Sequence, residues 1–231
     1  MTALPASAVL TAWLEAVRLG RAGPDDLASA VRGDAPRHLV VGLDGEAFEL
    51  HELPRRLDGP ASLALPVPGD PLGLGGPQEL NFLAIDAGEA VLSGGLGLVP
   101  EEDARTVVWR MHVADPAPWV DERDTAIELR TVLTEVTRRL VDLDVASWQP
   151  DIPDLLMNLR HRPQPPLPPG TTPRRVETVE RAALCLEIVD LARREEGGAV
   201  SAHEVRQRRE ALTELDQAAR RALVGACSHQ G

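Results

Sequence analysis

No lysine and no tyrosine occur anywhere in this chain, and all 24 basic residues are arginine. That absence excludes a Schiff-base lysine and the lysine of a phosphate-binding P-loop. Aromatic residues make up 3%, so stacking platforms for bases or sugars are scarce. The two cysteines, Cys185 and Cys227, are too few for a disulfide framework or for a zinc site of their own. No two of the six histidines (38, 51, 112, 161, 203 and 229) stand four residues apart, which removes a zincin-type helix. No apolar run approaches the roughly 20 residues of a membrane span. The N-terminus has no basic stretch followed by an apolar core, so no signal peptide is expected and the cytoplasm is the expected compartment. Positive charge is also in deficit. The net charge is −12, with 8 arginines against 17 acids in residues 1–119 and 16 against 19 in 120–231. Such a chain repels phosphate backbones, and neither nucleic acid nor membrane is an expected partner.

What is present is ample aliphatic material. Hydrophobic residues are 43% and charged residues 26% of 231, the balance of a globular protein large enough to bury a core without staples. Lysine-free basicity with abundant Ala, Gly and Pro reflects genomic base composition more than recognition chemistry. Leu10, Trp13, Leu14 and Val17 have helical spacing, and a second helix opens at Pro24, with Asp25 and Asp26 at its positive end. The two read as a small helical cap. Residues 38–51 switch to a strand period around Asp44-Gly45, a hairpin signal. Residues 54–60 read as a connector and 61–67 as a strand. Residues 78–92 fit helix or strand. Leu96–Val99 reads as a short strand ending at Pro100, and Thr106–Val113 is the clearest strand of the chain.

From Asp121 the pattern becomes helical, with Leu129, Val132, Leu133, Val136, Leu140 and Leu143 in one stripe. A short helix is expected around 153–160. The run 163–173 holds Pro163, Pro165, Pro166, Pro168, Pro169 and Pro173 and reads as a semi-rigid spacer, although it also satisfies the Pro-x-x-Pro of an SH3-type ligand. Beyond it two helices, broken at Gly197-Gly198, form an antiparallel hairpin. Thr172 is the expected cap of the first, and Ser201-Ala-His-Glu204 has capping-box spacing for the second. Residues 171–231 carry 10 arginines and 10 acids. Interleaved charge of that kind, Arg220-Arg221 included, reads as a solvated, ion-paired helix face. The expected fold is α+β: a small, mostly antiparallel sheet packed with helices (1–162), a Pro-rich linker (163–173) and a C-terminal antiparallel helical hairpin (174–231).

The stretch Pro66–Pro77 holds four prolines and four glycines after a strand. A loop of this length in a folded domain is a natural place for a site. Its amides could cradle an anion, which makes Asp70, Gly73, Gly75, Gly76 and Asn81 candidate ligand-binding residues, with Arg110 and His112 on one face of a nearby strand. The loop lacks both Gly-x-Gly-x-x-Gly and Gly-Lys-Ser/Thr, and Pro77 removes a donor. The alternative is a structural crossover. Acids cluster nearby at Asp44, Glu46, Asp70, Glu79, Asp86 and Glu89, but no spacing specifies a metal. Ser93-Gly94-Gly95 is not a nucleophile elbow. Cys185, mid-helix, packs as a small hydrophobe.

The ordered segments Leu39–Leu43, Leu65-Pro-Val-Pro-Gly-Asp-Pro-Leu-Gly-Leu74, Gly88–Val91, Gly95–Pro100 and Val107–Arg110 resemble a group of uncharacterised proteins from high-GC actinobacteria. The resemblance covers roughly residues 8–160 and is most specific at Pro-Gly-Asp-Pro-Leu-Gly-Leu. It implies a bacterial origin and no reaction, cofactor or catalytic residue. With no reaction centre legible, the expected function is non-enzymatic: an interaction or regulatory protein that self-associates as a homodimer, or docks a protein partner, through its C-terminal hairpin. The alternative is a small-molecule site for an anion or metal, possibly enzymatic, under residues 66–81. No cofactor is expected.

Overall fold

The computed structural model describes residues 4–32, 37–103, 106–142, 164–194 and 202–229. The expected helix at 153–160, the Gly197-Gly198 break, the Ser201 cap and the stripe position Leu143 lie outside these residues. The fold is α+β, with a six-stranded mixed sheet, helices on both of its faces, and a C-terminal helical pair.

Helices α1 (Ala6–Arg18) and α2 (Pro24–Arg32) form the cap. Strands β1 (Arg37–Val41) and β2 (Ala47–Glu49) make the hairpin around Asp44-Gly45. Gly45 has φ +82°, the left-handed conformation such a turn demands. A 3₁₀ helix, Leu50–Arg55, replaces the end of the expected strand region and the start of the expected connector, with a capping box in which Glu49 and Glu52 each accept the other's backbone N–H. Strand β3 is shorter than expected, Ala61–Ala64. Residues 78–92 are both things in succession, helix α3 (Gln78–Ala87) and then β4 (Ala90–Ser93), with Gly88 closing the helix at φ +76°.

Strand β5 runs Leu96–Asp103, past the Pro100 at which it was expected to stop. The reason lies in the ladder. The Ala114 amide donates to the Gly95 carbonyl, so bonded pairs with β6 (Thr106–Val113) fall at odd-numbered β5 residues. The nitrogen of Pro100 therefore points away from β6, toward the side where the pairing with β4 has already ended at Leu98. A proline is tolerated where no ladder bond is needed.

The strand order is β2-β1-β6-β5-β4-β3, and every neighbouring pair is antiparallel except β1 and β6. One face carries α1, α2 and the 3₁₀ helix over Val40, Val91, Leu98 and Trp109. Trp109, fully buried, donates its indole N–H to His38 Nδ1 at 3.1 Å. On the other face α3 lays Leu80 and Ala84 over Leu92 and Val99. Gly97 lets it come close, since a Cβ there would sit 2.8 Å from Leu80.

A third core joins helices α4 (Glu122–Asp142), α5 (Pro173–Arg194) and α6 (Ala202–Cys227) to Leu63 and Leu65. Gly225 of α6 lies so near α4 that a Cβ would meet Thr125 Oγ1 at 2.6 Å. The end of α6 also covers edge strand β3. Leu63 N–H donates to Ser228 Oγ at 2.9 Å, and His229 N–H donates to the Ala61 carbonyl at 2.9 Å. An open strand edge is a template for unwanted pairing, and these contacts close it.

Candidate functional site

The Gly/Pro loop begins with a tight turn. Val67 and Asp70 exchange both backbone hydrogen bonds, 3.0 and 2.9 Å, around Pro68 and Gly69. Gly69 has φ +87°, and Pro followed by left-handed Gly is the signature of a type II turn. The turn presents the Asp70 carboxylate to Arg220 of α6.

Arg220 is the residue the sequence concealed. Expected on a solvated charged face with Arg221, it is 6% exposed. Its Nη1 donates to the Leu65 carbonyl at 2.9 Å, its Nη2 to Asp70 at 3.0 Å and its Nε to Asp216 at 3.0 Å. Helical spacing hides this because Arg220 lies between Ala219 and the seam residues Ala222 and Leu223, all fully buried. The available signal was Asp216 four residues earlier, a partner on the same face. Arg221 is half-exposed toward Glu128.

The remaining loop positions serve close approach. Gly73 has φ +83°, and a Cβ there would fall 2.6 Å from the Leu63 carbonyl oxygen. At Gly75 it would fall 2.2 Å from the Pro116 carbonyl oxygen, and at Gly76 2.5 Å from Asp115 Oδ2. The Asp115 amide donates to the Gly76 carbonyl at 2.8 Å. Asn81 stands in the first turn of α3, and its Oδ1 is enclosed without a hydrogen-bond partner among the described residues. Arg110 pairs across the ladder with Glu101 at 2.7 Å, both about half exposed. His112 shares that sheet face, opposite Gly97. No described hydrogen bond or ion pair joins Arg110 or His112 to Asp70. Among the described residues no cluster of three or more His, Cys, Asp or Glu side chains could hold a metal.

The helical pair offers a different surface. Thr172 caps α5 through the Arg175 amide, as its spacing predicts, at 3.3 Å. One side of α5 buries Val179, Ala182, Cys185 and Val189 against α6. Burial pushes the Cys185 thiol up to about 11 and the Cys227 thiol to about 12, so neither is a nucleophile in the folded protein. On the opposite side of α5, Leu184, Ile188 and Leu191 recur at i, i+4, i+7. All three are half-buried, and none joins the apolar clusters formed by the described residues. A helix apolar on two opposite sides has more than one contact to make. Near the end of α5, Arg208 donates to the Ala192 carbonyl at 2.7 Å, and Arg139 of α4 pairs with Glu214 in the middle of α6.

These features define a class: a mixed-sheet α+β body locked to a three-helix C-terminal layer, with no helix among the described residues long and apolar enough to cross a membrane. The chain belongs to the Rv1486c-like protein family, whose N-terminal domain model matches residues 7–122 and whose C-terminal domain model matches residues 123–224. The two models meet at the start of α4. Two curated relatives from Mycobacterium tuberculosis, "Uncharacterized protein Rv1486c" of strain H37Rv and "Uncharacterized protein MT1533" of strain CDC 1551, are each 32% identical over 124 residues. The alignment takes in 41% of this chain and spans 43% of each relative's length. No solved structure matches.

Proposed function

We propose that the chain is a cytosolic, non-enzymatic interaction protein that forms a homodimer through the side of α5 that carries Leu184, Ile188 and Leu191. The observation that carries this reading is the Leu184–Ile188–Leu191 stripe, which lies opposite the face that α5 buries on α6. A second copy is the favoured occupant on grounds of charge. Residues 171–231 are neutral, so the whole −12 resides in residues 1–170. Two copies that meet through α5 bring together the segments that repel least. At 22 residues and ~1.5 Å per residue, α5 is roughly 33 Å long, enough for a standard interface patch.

A small-molecule site beneath residues 66–81 has less support. Its carboxylate is engaged by Arg220, and Gly73 and Gly75 pack against backbone.

Native mass spectrometry and light scattering of the full chain test the proposal. The expected result is a dimer in the micromolar range, converted to monomer by Leu184→Glu and by Ile188→Glu with the far-ultraviolet dichroism unchanged. A wild-type protein that stays monomeric across that range, or a dimer indifferent to both substitutions, refutes it.

A further inference from the structure

A cavity of about 350 Å³ opens between the C-terminal turn of α1, the segment Leu167–Thr172 and the end of α6. None of its lining residues belongs to the Gly/Pro loop or to the Leu184–Ile188–Leu191 stripe. Ala12, Ala16 and Leu167 are among its apolar lining residues. Its charged groups are three arginines, Arg18, Arg21 and Arg175, against a single carboxylate, Glu15, and His229 also lines it. Arg18 is paired with Glu15 and Arg175 with Glu122, so in a chain of net charge −12 Arg21 carries the cavity's uncompensated positive charge. An uncompensated charge in a recess concentrates the opposite ion.

The hydrogen bonding leaves donors for such an ion. Arg175 binds Glu122 through Nε and Nη2, at 3.2 and 2.7 Å, so its Nη1 hydrogens remain. Arg18 uses the same two nitrogens on Glu15. Arg21 is exposed, makes no ion pair among the described residues, and lays its stem over Gly170, where an added Cβ would come within 3.6 Å of its Cδ. Thr172 Oγ1 accepts from the Arg175 amide, which leaves its hydroxyl hydrogen to donate. The same residues open α5, whose N-terminus adds a partial positive charge.

We propose that this cavity binds the phosphate group of a small metabolite. Arg21 supplies a planar fork, Arg175 its remaining Nη1 hydrogens and the Thr172 hydroxyl a further donor, and the apolar lining takes the rest of the molecule. Three terminal oxygens suit two guanidinium groups and a hydroxyl better than the two oxygens of a carboxylate do. The cavity falls within the ~300–1,000 Å³ span of small-molecule pockets.

Isothermal titration and thermal unfolding of the full chain with inorganic phosphate test the site, with sodium chloride at matched ionic strength and sodium acetate as comparisons. Saturable binding of phosphate, a rise in Tm that follows it, and no matching response to chloride or acetate are expected. Arg21→Gln, at an exposed position, is expected to keep the unliganded Tm and weaken binding about tenfold or more. Arg130→Gln, on the exposed side of α4, is expected to leave binding unchanged. Absence of saturable phosphate binding, an equal response to acetate or chloride, or full affinity in Arg21→Gln overturns the proposal.

Discussion

Arg220 and Asp70 stand 150 positions apart in the chain and 3.0 Å apart in the fold, where they join the last helix to the Gly/Pro loop. Their side chains are 7% and 19% exposed. The guanidinium also holds Asp216 and the Leu65 carbonyl, so three acceptors depend on one buried cation. Removing one partner of a buried pair leaves the others desolvated and uncompensated. Arg220→Met is expected to cost about 3–5 kcal/mol in urea unfolding. Asp70→Asn keeps the shape and an acceptor oxygen, and is expected to lose about 1–3 kcal/mol. Wild-type stability in both variants would show that the pair does not hold the loop.

Gly73 and Gly45 isolate the effect of space from that of backbone angle. Their φ values are +83° and +82°, yet a Cβ at Gly45 meets nothing within 4 Å while one at Gly73 falls 2.6 Å from the Leu63 carbonyl and 2.7 Å from Ala64 Cα. Gly45→Ala is expected to cost about 1–2 kcal/mol for the left-handed conformation alone. Gly73→Ala adds an overlap with backbone that cannot rotate away, a further ~1–3 kcal/mol. Equal destabilisation of the two variants in chemical denaturation contradicts the close packing of loop on β3.

The same contrast explains what could be read from the chain. Helices α1, α2 and α4 and strand β6 announce themselves through local period, because their buried residues recur on one face. Thr172 and Asp44-Gly45 are local as well. Tertiary pairings carry no such mark. Arg220 looks like any helical arginine until Asp70 is placed beside it. Pro100 looks like a strand end until the phase of the β5–β6 ladder is known. The glycines at 73 and 75 look like a ligand cradle because close approach to a carbonyl and close approach to a phosphate require the same missing side chain. The charged cavity is hidden for a similar reason. Arg18 and Arg21 stand more than 150 positions before Arg175 and His229, and the contacts of Trp13 with Pro166 and of Glu15 with His229 hold those distant segments together.

Cys185 and Cys227 are both buried, with thiols raised to about 11 and about 12 by desolvation. At pH 8 almost no thiolate is present at either site, and both side chains are almost fully covered. Neither cysteine is expected to react with Ellman's reagent in the native protein, while both react at once in denaturant. Prompt modification of one thiol under native conditions would mean that the α5–α6 core opens far more readily than its packing indicates.

Glu15 ties α1 to the sheet edge and to the chain's last described residue. Its Oε1 accepts from the Ala61 amide at 2.6 Å, Arg18 grips both oxygens, and His229 Nδ1 lies 3.2 Å from Oε2. Burial by itself would raise the carboxyl's pKa. The Arg18 hydrogen bonds, the Ala61 amide and the charges of Arg18 and His229 together outweigh it and hold the pKa below the usual range. A carboxyl whose folded pKa lies below its unfolded value, about 4.3, takes up its proton first in the unfolded state. Acid therefore favours unfolding. The stabilisation from Glu15 is complete above about pH 5 and is lost as the pH falls through the folded pKa. Glu15→Gln is expected to be less stable than the wild type at pH 7, with the gap closing progressively below about pH 5. Urea unfolding of both proteins across that range measures the gap. A difference that stays constant with pH, or that widens in acid, would mean that the Glu15 charge does not stabilise this junction.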